Sequence, residues 1–86
     1  ETKGSFYVRL MVEDRPGVLG DIAYILGQNG VSVASVIQEG RAHDQVPLVF
    51  VTHEVKQGDL AKSIKNISEL ACVKEVANVI RVEKGE

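Results

Sequence analysis

Asp14-Arg15-Pro16-Gly17-Val18-Leu19 is the run whose residue types and spacing suit chemistry, and it lies between an alternating stretch, Phe6 to Glu13, and an amphipathic stretch, Val18 to Asn29. A strand that turns through Pro-Gly into a helix presents unbonded backbone N–H groups, which attract anions. Asp14 adds a carboxylate at the same corner. Together they suit both ends of a free amino acid: the amides its α-carboxylate, Asp14 its α-ammonium.

A plainer account of the same residues is an ordinary helix start. Asp14 as N-cap accepts a bond from the Gly17 N–H and complements the helix dipole, while Pro16 lacks an amide hydrogen and loses nothing there. A glycine in a first helical turn costs about 0.5 to 1 kcal/mol relative to alanine, which points to something approaching the backbone closely. The two accounts are compatible, since a capped helix still offers the amides of Val18 and Leu19. A second element, Gly30-Val31-Ser32, begins strand two, and Ser32 supplies a small donor and acceptor there. Taken alone, Ser32 reads as a solvated strand hydroxyl.

The elements that position these residues are legible. Phe6, Val8, Leu10 and Val12 alternate with Tyr7, Arg9, Met11 and Glu13, as in a strand half-buried against helices. Val18, Leu19, Ile22, Ala23, Ile25 and Leu26 recur at helical spacing, and Asn29-Gly30 is a stop signal. Val31 to Glu39 and Val46 to Thr52 are rich in β-branched residues and flank a polar loop, Gly40 to Gln45, predicting a hairpin with a mobile loop. Gly58-Asp59 opens a second helix with Leu60, Ile64, Ile67 and Ala71 on one face, and Val73 to Val82 resumes a strand.

The order β-α-β-β-α-β with right-handed crossovers gives an α+β, ferredoxin-like fold: a four-stranded antiparallel sheet, strands one and three central, with two helices on one face. The crossover brings Ser32 to the end of the layers where helix one finishes. The open sheet face carries Tyr7, Met11, Val49, Val51 and Val55 or their neighbours, more apolar surface than solvent requires, so a partner subunit or domain is expected on it. Strands two and four are edges without proline, and edge-to-edge dimerisation follows naturally.

Composition narrows the function classes. Eighty-six residues make one domain, burying roughly 60 to 65% of its unfolded surface. Ten Lys and Arg against twelve Asp and Glu, with no basic run, give a nucleic acid little to hold. A single cysteine, Cys72, excludes a disulfide framework and fits a reducing cytoplasm; it reads as a small buried hydrophobe. There is neither a membrane-length apolar run nor a signal peptide. His43 and His53 lack companions at ligand spacing, so no metal is expected, and Glu54, Lys56, Lys62, Lys65 and Glu69 read as solvated. No nucleophile–base arrangement is present, and the chain reads as non-catalytic. Residues 1–5 read as a linker, 6–83 as the domain and 84–86 as a tail, in a piece excised from a longer protein.

The turn Glu13 to Leu19, with Asn29-Gly30-Val31-Ser32 entering strand two, resembles the ACT domain, a small-molecule regulatory module. Ala34-Ser35-Val36-Ile37-Gln38, Val46-Pro47-Leu48-Val49, Val51-Thr52-His53 and Val76 to Val82 look most like the C-terminal ACT domain of bacterial homoserine dehydrogenase. That resemblance implies an allosteric sensor of an amino acid, L-threonine, giving feedback control of an NAD(P)-dependent parent enzyme of the aspartate pathway, with no cofactor in this domain. It implies an effector between two copies, touching Asp14, Arg15, Pro16, Gly17, Val18 and Leu19 of one and Ser32 of the other. The expected partners are the amino acid, a second copy through a sheet edge or helices, and the parent's catalytic domain. Some members carry histidine at the position of Val12 and asparagine at those of Asp14 and Ser32, which keeps open an alternative: a ligand-free dimerisation module of the same enzyme. An RNA-recognition domain shares the topology, but strand three lacks its basic and glycine-aromatic run; a heavy-metal chaperone needs two cysteines in the first loop.

Overall fold

Phe6, Val8, Leu10 and Val12, 0 to 5% exposed, form the floor of the core, and the strand that carries them is central to the sheet. The computed structural model describes residues 3–40 and 45–82. The elements are β1 (Lys3–Glu13), α1 (Val18–Gln28), β2 (Val33–Gln38), β3 (Gln45–Thr52), β4 (Val55–Lys56), α2 (Gln57–Ser68) and β5 (Val73–Val82). β1 pairs antiparallel with β3 and β5, and β2 pairs with β3, so β2-β3-β1-β5 runs across the sheet. The expected α+β, ferredoxin-like arrangement is the observed one, with β4 as a short addition.

The apolar face of each element packs inward. Val18, Ile22 and Leu26 of α1 and Leu60 and Ile67 of α2 meet Val8 and Leu10 of β1 and Val46, Leu48 and Phe50 of β3 in one cluster. Each such side chain, fully buried, contributes about 1.5 to 3 kcal/mol. Thr52, 1% exposed, is the polar exception that closes a backbone need: its Oγ1 accepts the Phe6 N–H at 3.1 Å.

Helix α1 ends as its sequence requires. Gly30 at φ 74° lets its N–H reach Gly27 O at 3.1 Å and the Val31 N–H reach Leu26 O at 2.9 Å, the paired bonds of a Schellman stop.

Three local expectations are corrected. Lys3, Gly4 and Ser5, assigned to a linker, belong to β1, because Lys3 and Gly4 pair with Lys56 and Val55 of β4 and Arg81 Nη2 donates to Lys3 O at 3.0 Å. Val55, placed on the open sheet face, is 5% exposed in the core: β4 pairs with β1 one residue out of step with β3, and a one-residue slip turns a side chain to the other face. α2 stops at Ser68, so Ala71 is exposed and Cys72, 2% exposed, takes the core position instead. The linker expected at residues 1–2, the tail at 84–86 and the hairpin loop at 41–44, with His43, lie outside the described residues.

The other sheet face is built from cross-strand rows. Ser35, Val51, Tyr7 and Ile80 share one row and Ile37, Val49, Arg9 and Asn78 the next. Ile37 is 56% and Ile80 51% exposed, so apolar surface does lie open there. Arg9 Nη1 bonds Glu39 Oε1 at 2.8 Å, an exposed pair of small energetic weight.

Candidate functional site

The first turn is organised around Gly17. Its φ of 88° lies in the left-handed region, which glycine alone occupies without strain, and it is the N-cap residue of α1. Asp21 N–H donates to Gly17 O at 2.9 Å as the first helical bond. The N-cap is therefore Gly17 and not Asp14, three residues earlier, because the chain uses a positive-φ residue to turn from Pro16 into the helix. Nothing lies within 4 Å of where a Cβ on Gly17 would stand. The glycine answers a backbone demand, and the space beside it is open.

Asp14, Arg15, Pro16 and Gly17 are all exposed, as is Leu19 at 48%, whereas the Val18 side chain is buried in the core. Val18 can thus offer only its backbone. By helix geometry the amides at Val18, Leu19 and Gly20 have no carbonyl four residues behind them within the helix, so this exposed turn carries backbone donors outside the helix's own bonding ladder.

Glu13 fixes the base of this turn. Its Oε1 receives Arg15 Nε at 2.7 Å, its Oε2 receives Lys74 Nζ at 2.9 Å, and its N–H donates to Cys72 O at 2.8 Å. The hydrogen bond from Arg15, then that from Lys74, holds its carboxyl below the ordinary range. The sequence reading missed this clamp; the close spacing of Glu13 and Arg15 was its only local sign, because Lys74 arrives from β5, at the far end of the chain.

Ser32 lies elsewhere in the chain's own frame. Exposed, just ahead of β2, its carbonyl accepts the His53 N–H at 2.9 Å, at the end of the sheet where β3 finishes and β1 begins. The Asp14 turn follows Glu13, which pairs with Gln45 at the opposite end. α1, eleven residues or about 16 Å long, separates the two. One copy brings Asp14 through Leu19 together and holds Ser32 apart from them.

Among the described residues no group of three or more His, Cys, Asp and Glu is placed to hold a metal ion, and no helix is long and apolar enough to cross a membrane.

A strand-turn-helix donor site at one end of a βαββαβ sheet defines a class of small regulatory domain, and the model of that class, the ACT domain, matches residues 6–72. The chain belongs to the ACT domain family. It is 42% identical over 77 residues to a homoserine dehydrogenase of Synechocystis, and 33% identical over 84 residues to one of Corynebacterium glutamicum. Those matches cover 90% and 98% of this chain but 18% and 19% of the relatives. The crystal structure of a homoserine dehydrogenase from Thiobacillus denitrificans superposes with a TM-score of 0.86 at 30% identity, over 95% of this chain and 18% of that one. The chain thus spans about a fifth of the length of the relatives it matches.

Proposed function

We propose that this ACT domain senses a free amino acid, L-threonine, and regulates an NAD(P)-dependent homoserine dehydrogenase to which it is joined. The α-carboxylate is received by the amides at the start of α1 and the α-ammonium by Asp14, with Arg15, Pro16, Gly17, Val18 and Leu19 shaping the turn and Ser32 of a second copy completing the site. The nicotinamide cofactor belongs to the catalytic part of the parent. The observation that carries the reading is the exposed, left-handed Gly17 at the helix start, beyond which the first amides of α1 have no acceptor within the helix.

The separation of Ser32 from the turn favours a site shared by two copies. Antiparallel pairing of two β2 edges sets the Ser32 end of one strand beside the Gln38 end of the other, and Gln38 lies at the same sheet end as Glu13. Val36 and Ile37 of β2, 41% and 56% exposed, supply apolar area for that contact. An effector lying between two copies binds one arrangement of them better than another, which is the condition for regulation, with typical coupling of about 1 to 3 kcal/mol.

Val12 is 2% exposed and packs in the core, so a histidine's absence there removes no exposed contact at the turn. Calorimetric titration with the aspartate-family amino acids tests the reading: saturable binding of threonine, one molecule per turn, supports it, and heats no different from buffer in a dimeric sample oppose it.

A further inference from the structure

We infer that His53, acting with Ser32 of the same copy, reads the side chain of the effector, and that the site is built for an amino acid whose side chain is short and carries a hydrogen-bonding group. The inference rests on the two-copy reading of the site and names what the second copy contributes beyond Ser32.

The backbone fixes His53 beside Ser32. Val33 pairs with Thr52, and the next step outward joins Ser32 to His53, whose N–H donates to Ser32 O at 2.9 Å. Opposite partners of an antiparallel pair share a face, with Cβ atoms about 4.5 to 5.5 Å apart. Their neighbours set which face it is. Val31, 5% exposed, and Val33 pack on the core to either side of Ser32, and Thr52, 1% exposed, is buried just before His53. Ser32 and His53 are both exposed, on the side turned from the core. Among the described residues the imidazole makes no hydrogen bond or ion pair of its own.

The first copy takes up both ends of the amino acid, the carboxylate at the α1 amides and the ammonium at Asp14. Only the side chain is left to face the second copy. A hydroxyl and an imidazole each donate and accept hydrogen bonds. A hydroxyl on the ligand's β-carbon meets that pair, whereas a methyl in its place leaves both groups without a partner. Threonine and valine share a shape and differ by this exchange, so the ratio of their affinities reports on the pair. A site that bonds a hydroxyl rejects the analogue lacking it far more strongly than a pocket that measures size alone.

Titration calorimetry of the 86-residue chain with L-threonine and L-valine decides the matter, in the native sequence, His53→Ala and His53→Gln. The native chain should bind threonine at least about tenfold more tightly than valine. His53→Ala should bring the two affinities within about threefold of each other, and His53→Gln, which keeps a donor and an acceptor, should retain most of the preference. The imidazole is exposed and the His53 N–H persists in each variant, so folding does not rest on the substitution. A residue that only held the copies together would lower both affinities alike. Affinities that fall together in His53→Ala, an unchanged ratio there, or equal binding of the two amino acids by the native chain each overturn the inference and leave sensing in place. Absence of any binding by the native chain removes sensing itself, and this inference with it.

Discussion

Glu13 Oε2 stands 2.9 Å from Lys74 Nζ, so the residue that ends β1 at the candidate site is tied to β5. Arg15 Nε occupies the other carboxylate oxygen at 2.7 Å. All three side chains are well exposed, and the pairs contribute position more than stability. Glu13→Gln keeps the shape and removes the charge. It should leave the melting temperature nearly unchanged and weaken effector binding about two- to five-fold, read by titration calorimetry.

The same clamp sets a pH dependence. Bonds from Arg15 and Lys74 lower the Glu13 pKa in the folded chain, so its contribution is complete above the unfolded carboxylate's pKa and is lost as pH falls through the folded value. Effector affinity should hold at neutral pH and decline as pH falls into the acid range, and Glu13→Gln should remove that part of the decline. Affinity measured from neutral pH downward in both proteins checks this; identical profiles would detach Glu13 from the site.

Gly17→Ala tests the turn through its backbone. A Cβ there meets no atom within 4 Å, so the cost arises from φ 88° alone, about 1 kcal/mol or somewhat more. A domain this size should melt several degrees lower. A variant as stable as the parent sequence would mean that the turn relaxes to another conformation.

Asp14→Ala separates binding from capping. Gly17 holds the N-cap position, so replacing Asp14 leaves the N-cap residue of α1 in place. Losing the partner of an ammonium should lower effector affinity more than tenfold. Melting and calorimetry on the same sample decide it, and a destabilised variant with intact affinity contradicts the assigned role.

Thr52→Val addresses the core. The substitution keeps the shape but strips the acceptor from Phe6 N–H, leaving a buried donor unmet, at about 1 to 3 kcal/mol. Chemical denaturation should show a lower midpoint with an unchanged slope.

Much of this architecture is written locally. Alternation from Phe6 to Val12, helical spacing from Val18 to Leu26 and the Asn29-Gly30 stop each state their element within a few residues, and the structure follows them. What the sequence concealed depends on distant partners. The extension of β1 back through Gly4 to Lys3 exists because two residues of β4 pair with it, and Val55 turns inward through a one-residue offset that no pattern near Val55 displays. The Glu13–Lys74 contact joins residues that only the fold brings together. At the candidate site, residue types single out the first turn but do not say why glycine stands at position 17: its φ, and not close approach, requires it.

The central claim is that the first turn binds an amino acid as part of a two-copy site. Thermal unfolding of the dimeric domain with L-threonine tests it most directly. At about a hundred times the dissociation constant, threonine should add about 2.7 kcal/mol to the stability, a rise of several degrees that Asp14→Ala abolishes. An unfolding curve unmoved by threonine and by every other proteinogenic amino acid, in a sample shown to be dimeric, would contradict it.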